Sequence, residues 1–286
     1  MNDTHEPAEL RYQRLNQLAD RVAARHWHVS DLPWNDLPAL PVPPDVDPRR
    51  RRAFVEFGKR AIDVQLAAEH VAVSAAHHLL NHAARGGMHP AVTRALAAVL
   101  NDEASHVVVM LELRTRAARD YPDVSADTES SPLFAAFLAA IPRLHPSVIA
   151  IAMGVYEAMI AIRSYTEEAA YRHPSILGRM ADLAAHDDTL HARILGLVGH
   201  VLVDELRAAS PDAAGRELAV REHVIDPLFS LWPLLVDHER FLLPKDDRFR
   251  ARLDRRLAAD AVIVRRLLAS FGVKAPELQG TAAVRD

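Results

Sequence analysis

The chain has 286 residues, half of them apolar and a quarter charged, with no cysteine and a formal net charge of -4. That length can bury a sizeable core, and the composition is that of an ordinary globular chain. The weak net charge gives no reason to expect nucleic acid or an anionic membrane as partner, and the lack of cysteine excludes disulfides, thiolate catalysis and Cys-ligated zinc or iron–sulfur centres.

The opening MNDTHEPAEL is polar and lacks the apolar stretch of a signal peptide. The longest apolar run, near Val148 to Tyr156, is too short to span a bilayer, so a cytoplasmic location is expected. Apolar positions recur at three- and four-residue spacing nearly everywhere and strand-like alternation is hard to find, which predicts an all-α protein. Residues 1–48 are read as an arm packing on the body of the protein. Within it, the proline-rich stretch 31–48 is extended, and Trp27 and Trp34 hold the arm down. Asp47-Pro48 has the form of an N-cap followed by proline at the first helical position, and the basic run Arg49–Arg52 reads as a solvated helix start.

Long helices are expected over 49–84, 90–120, 146–171 and 174–206, with starts at Asp47-Pro48, His89-Pro90, His145-Pro146 and His173-Pro174. Arg85-Gly86-Gly87 and Tyr171-Arg172-His173 read as tight links, so the four helices form two antiparallel hairpins and hence a four-helix bundle. A short helix is expected within 121–145, and further helices near 212–240 and 246–271. The predicted organisation is one folded unit: the arm 1–48, the bundle 49–206 and a helical cap 207–286.

The inward stripe of each bundle helix is apolar except near its middle. The first reads Gly58, Ile62, Leu66, Glu69, Val73, Ala76, Leu80; the second Val92, Leu96, Val99, Glu103, His106, Met110, Leu113. The third reads Ile149, Met153, Glu157, Ile160, Ser164; the fourth Leu177, Ala181, Ala184, Asp188, His191, Leu195, Val198. In an antiparallel hairpin, residues whose numbers average to the turn share a level. Glu69 and Glu103 meet that condition about Gly86, and Glu157 and Asp188 about Arg172–His173, whereas Glu168 would lie near its helix end. Six groups therefore converge on one layer.

Four buried carboxylates need compensation, and two divalent cations supply it. The i, i+3 pairs Glu103/His106 and Asp188/His191 aim both side chains at one point, and mixed oxygen and imidazole donors suit iron or manganese. One Glu from each of two helices and an acid-x-x-His from the other two is the donor set of carboxylate-bridged di-iron bundles. Composition alone would put an acid three positions before about two of the 16 histidines, as observed, so that spacing is uninformative. Only about 0.3 would also have an acid one position earlier, and both do, as Asp102 and Asp187. Those two acids can accept from the outer nitrogens of the histidines, Asp102 from His191 and Asp187 from His106. His70, His77, His78 and His82 read as surface residues, and Tyr156 and Tyr165 as packed ones.

The pattern Glu69, Asp102-Glu103-x-x-His106, Glu157, Asp187-Asp188-x-x-His191 resembles that of ferritin-like di-iron oxygenases, and most closely the p-aminobenzoate N-oxygenase (AurF-like) family, over residues 50–206. The resemblance implies a ferritin-like bundle with added N- and C-terminal helical segments. It makes Glu69, Glu103, His106, Glu157, Asp188 and His191 the ligands of two iron ions, with O2 as co-substrate. Two positions depart from that family: Asp188 stands where it has Glu, and Ala184 where it has an additional His. The implied activity is oxidation of a small organic substrate, with amine N-oxygenation preferred, C–H hydroxylation or desaturation as alternative, and natural-product synthesis as setting.

Val73, Val99, Met110, Met153, Ile160 and Ala184 flank the acids on the inward stripes and are the expected pocket walls. The reading calls for an external electron donor and leaves a homodimer open; neither nucleic acid nor membrane is expected. An iron-storage protein would carry the same ligands, but about a third of this chain lies outside the bundle, which favours a covered substrate pocket. A scaffold with acids and histidines merely paired is the remaining reading.

Overall fold

The computed structural model describes residues 7–125, 131–166, 174–242 and 250–270. Among them all regular structure is helical: α1 Ala8–Arg25, α2 Pro48–Arg85, α3 Pro90–Asp120, α4 Pro132–Ala140, α5 Pro146–Thr166 and α6 Ile176–Ala208. These are followed by α7 Ala213–Val220, α8 Asp226–Ser230, α9 Trp232–Leu242 and α10 Arg250–Ser270. The Tyr171–His173 link, Glu168 and the side chains of Ser164 and Tyr165 lie outside the described residues.

The caps explain the starts. Asp47 accepts from the backbone N–H groups of Arg49 and Arg50, with Pro48 in the first turn of α2. His89 Nδ1 accepts from Ala91 N, and His145 Nδ1 from Ser147 N. The fourth bundle helix begins two residues later than Pro174, because Ser175 is the better cap: its hydroxyl accepts from Gly178 N at 3.0 Å. Between α2 and α3 the chain reverses through Gly87 at φ 62, a left-handed conformation that glycine adopts without cost. There Gly86 N donates to His82 O and Met88 N to Ala83 O, so the last carbonyls of α2 are satisfied.

α2 packs on α3 and α5, and α6 on α5 and α3, which closes a four-helix bundle. The remaining elements cover it. α1 lies against α3 and α6, α4 against α2 and α9, and α10 against α5 and α9. The helix α1 is unanticipated within the arm, whereas 31–48 is non-helical beyond the single 3₁₀ turn Val29–Asp31. This strap is tied down by its carbonyls: Pro38 O and Ala39 O accept from Ile176 N and Leu177 N at the start of α6, and Arg116 donates to Trp34 O and Leu37 O. The helix expected over 212–240 is interrupted. A π-helical turn, Arg221–Ile225, precedes Pro227, which has no N–H to continue the α pattern, and Pro233 lies at the start of α9 after a break at Leu231.

The α3 stripe from Val92 to Leu113 is buried at every predicted position. On α2 the buried face widens along the helix. Ile62, Leu66, Glu69 and Ala76 are covered as expected, but Ala72, Ala75 and Leu79 are buried as well, while Val73 and Leu80 are only half-buried. The cause is α4, which packs on α2 from the side and widens its covered arc. No described helix is long and apolar enough to cross a membrane.

Candidate metal centre

The buried core has two large apolar halves. One includes Ala68, Ala72, Leu96, Val99, Met153, Leu190 and Ile194; the other includes Ile62, Leu66, Val109, Met110, Met180 and Ala184. Between these halves on all four bundle helices lie the polar residues. Glu69, Asp102, Glu103, His106, Glu157, Asp187, Asp188 and His191 are all at most 6 % exposed, so the charged layer is cut off from water.

Within it, one donor atom each from Glu69, Glu103 and His106 lie within 4.8 Å of one another, and so do one each from Glu103, Glu157 and His191. Either triad can hold a metal ion, and Glu103 belongs to both. The imidazoles are arranged alike. His106 Nδ1 is 3.5 Å from Glu69 Oε2 and 3.7 Å from Glu103 Oε2, while its Nε2 is 3.4 Å from Asp187 Oδ2. His191 Nδ1 is 2.7 Å from Glu103 Oε1, and its Nε2 is 3.0 Å from Asp102 Oδ2. Each ring thus turns Nδ1 toward the glutamates and Nε2 toward an aspartate from the helix opposite.

Asp102, His106 and Asp187 form a third convergent group, but both aspartates have other partners. His26 Nδ1 is 2.9 Å from Asp102 Oδ1, and the Trp27 indole N–H donates to Asp187 Oδ2 at 2.7 Å with its ring stacked 5.3 Å from that of His106. These contacts leave the glutamate side as the better place for a cation. Asp188 stands beside the triads; its Oδ2 is buried with no hydrogen-bond partner, and it borders a cavity of about 70 Å³. Gln65, one turn before Glu69 on α2, donates to Glu69 Oε1 at 2.5 Å and lines the same cavity.

Electrostatics describe a set of groups short of positive charge. Burial pushes the Glu69 carboxyl up to about 7 against the pull of His106. Burial and then neighbouring carboxylates push Glu157 and Asp188 well above the usual range. Burial would lower both histidines, but Glu69 beside His106 and Glu103 beside His191 outweigh it, so both imidazoles are held well above their ordinary value. Glu103 and Asp102 move the other way: burial opposes ionisation, but the histidines overcome it. Asp188 Oδ2 and both ring nitrogens of His106 make no hydrogen bond despite burial, and His191 Nδ1 and Glu103 Oε1 meet only each other, as an ion pair outside hydrogen-bond geometry. Buried polar atoms without partners are costly, and divalent cations would satisfy both them and the carboxylate charge. The donor set fits metal on that ground.

Of the expected pocket walls, Met110, Ile160 and Ala184 line the cavity at Asp188, and Met153 lines a larger one outside the bundle axis. Val99 is buried in the core and Val73 half-buried; neither borders these two cavities. His70, His77 and His82 are exposed, His78 is half-buried, and Arg49–Arg52 are exposed. The roles of His26 and Trp27 at the aspartates had no sequence signal, because neither lies on a periodic face. Gln65 did have one, at i-4 from Glu69. Fold and site define an all-α bundle with a buried carboxylate–imidazole cluster able to hold metal. Neither a family model nor a curated protein matches the chain.

Proposed function

We propose that the cluster holds two metal ions, iron in preference to manganese, and that the protein is an O2-dependent di-iron oxidoreductase of the ferritin-like type. The ligands are Glu69, Glu103 and His106 for one ion and Glu157, Asp188 and His191 for the other, with Glu103 positioned to reach both. The carrying observation is the paired orientation of the histidines, Nδ1 to the glutamates and Nε2 to an aspartate. At His191 the hydrogen bond to Asp102 favours the tautomer with hydrogen on Nε2, which frees the Nδ1 lone pair for a cation; at His106 Asp187 faces Nε2 at 3.4 Å without a hydrogen bond.

Bound ferrous ions would supply the redox chemistry: one oxygen atom of O2 goes to an amine nitrogen and the other leaves as water, with two electrons from an external donor and two protons from solvent. The chain's own residues supply the rest. The two apolar core halves exclude water from the layer, and Trp27 closes its arm side. Ala184, where the resembling family has a histidine, leaves its place beside Asp188 to a cavity with room for a small molecule such as O2. Amine N-oxygenation is the preferred reaction on the strength of the sequence resemblance, with C–H hydroxylation or desaturation requiring the same centre.

Protein produced with iron should contain about two metal ions per chain. Glu103→Ala and His106→Ala should each lose at least one, measured by elemental analysis of the folded variants. Full metal content in both would defeat the ligand assignment, and consumption of O2 without oxidation of any amine would defeat the preferred reaction.

A further inference from the structure

Helices outside the bundle and the outer sides of α2 and α5 line a second cavity, of about 90 Å³, whose chemistry differs from that of the carboxylate layer. Its wall on the bundle side includes Ala68 of α2 and Met153 and Tyr156 of α5. Its outer wall includes Phe134 of α4, Trp232 of α9 and Val264 of α10. Among the described residues none on the wall carries a charge, and their side-chain heteroatoms besides methionine sulfur are the Tyr156 hydroxyl and the Trp232 indole nitrogen.

Two features separate this space from a packing defect. Apolar voids cost stability, by roughly 24 cal/mol for each Å³ in well-studied cores, yet the surrounding side chains are large and mostly buried, Phe134 and Trp232 among them. Position is the second feature. Ala68 precedes Glu69 in sequence, Tyr156 precedes Glu157, and Met153 lies one turn before Glu157. The cavity therefore backs onto the two helices that bring a lone glutamate to the metal layer, and α4, α9 and α10 close it from outside.

We propose that this cavity binds an uncharged small molecule with an aromatic or alkyl body, and that this molecule is the organic substrate; the second half of the proposal rests on the di-iron reading. A carboxylate or ammonium entering here would lose its hydration and find no opposite charge among the described wall residues, a cost of several kcal/mol or more. Apolar bodies lose nothing comparable and gain about 25 cal/mol per Å² buried. An amine that binds must therefore do so neutral, as arylamines do near pH 7, and without a carboxylate on its ring.

The test titrates toluene, aniline and 4-aminobenzoate into the full chain, metal-free and iron-loaded, followed by calorimetry and by the methyl NMR signals of the methionines. Toluene and aniline should bind saturably in both forms and shift Met153 and Met159, which line this cavity, rather than Met110 and Met180, which line the one at Asp188. Binding of 4-aminobenzoate should be at least about tenfold weaker for lack of a cation. Val264→Phe, on the wall farthest in sequence from the acids, should weaken toluene by about tenfold or more by filling the space. If that variant does not fold, Val264→Ala should instead admit a bulkier arene such as naphthalene more tightly than the parent does.

Shifts confined to Met110 and Met180, equal or tighter binding of 4-aminobenzoate, or no saturable binding of either neutral arene would each overturn the proposal. Iron content measured on the same samples tests the metal reading separately. Arene binding at Met153 in protein that takes up no iron would keep the cavity and remove the oxidase.

Discussion

Asp102 and Asp187 each stand between an imidazole and the N-terminal arm. Asp102 uses one oxygen for His191 and the other for His26. Asp187 offers Oδ2 to both Trp27 and His106, which explains why its contact to His106 is 3.4 Å where the Asp102 contact to His191 is 3.0 Å. Asparagine at either position keeps the shape but presents an amide, with less charge to hold an imidazole N–H. Asp102→Asn and Asp187→Asn are therefore expected to fold and to bind metal roughly 10- to 100-fold more weakly, read by competition against a chelator. Affinities within twofold of the parent would show that these acids do not orient the rings. Ala184 is 5 % exposed and opens on the cavity at Asp188. Ala184→His should place its imidazole there at an overpacking cost of no more than about 1–3 kcal/mol. Metal affinity should be at least that of the parent, and the visible spectrum of the cobalt-loaded protein should change with the added nitrogen donor. A normal melt with an unchanged spectrum would mean that position 184 does not reach the metal layer.

At the level of elements, α6 carries Asp187, Asp188 and His191, and its N-terminus is held by two other parts of the chain. Carbonyls of the extended strap take the N–H groups of Ile176 and Leu177, and the Ser175 hydroxyl takes that of Gly178. Three of the donors that a helix start leaves open are thereby met. Ser175→Ala removes one of them in a position 2 % exposed, where water is a poor substitute. The expected loss is about 2 kcal/mol, at the upper end of the usual range because of burial, measured by denaturant unfolding. A change below a few tenths would mean that the strap alone fixes this end. The strap depends on α2 as well: a Cβ on Gly58 would come within 2.9 Å of Leu40, whose side chain is fully buried. Close approach, rather than a special backbone angle, is what this glycine provides.

Across the whole molecule, a charged layer divides what would otherwise be one continuous core. Burial and neighbouring carboxylates force Glu157 and Asp188 toward protonation, so the metal-free protein carries an electrostatic penalty that bound cations would relieve. Ligands that bind only the folded state stabilise it by about 2.7 kcal/mol at a hundredfold excess over Kd. With roughly 2–4 °C per kcal/mol for a chain of this size, removal of metal by a chelator should lower the melting temperature by roughly 5–11 °C, and ferrous or manganous ions should restore it. A melting temperature indifferent to both treatments would show that the cluster takes up no metal in the folded protein.

Much of this architecture is legible in the sequence because helical periodicity is a local property. Val92 to Leu113 on α3 and Leu177 to Val198 on α6 declare their inner faces through spacing alone, and the depth of Glu69 against Glu103 follows from the position of the Gly86 turn. Local rules also locate the caps at Asp47, His89 and His145. They fail where a residue's environment is made by a distant segment. The burial of Ala72, Ala75 and Leu79 past Glu69, off the expected stripe, depends on α4 arriving from the side. The breaks near Pro227 and Pro233 fall inside an apolar pattern that by itself predicts one continuous helix, and α1 lies within a polar arm.

A helical protein with acids and histidines at one level of four long helices follows from residue order alone, because 3.6-residue periodicity and antiparallel links relate residue number directly to face and depth. Long-range packing is what sets which nitrogen of each imidazole turns inward, brings His26 and Trp27 to the two aspartates from outside the bundle, and shapes an apolar cavity beside the outer helices. Those outcomes depend on contacts between segments far apart in the chain, some 76 residues for His26 and Asp102 and 160 for Trp27 and Asp187. No periodicity spans such distances; they are settled when packed surfaces select one arrangement of side chains from the many that the local pattern allows.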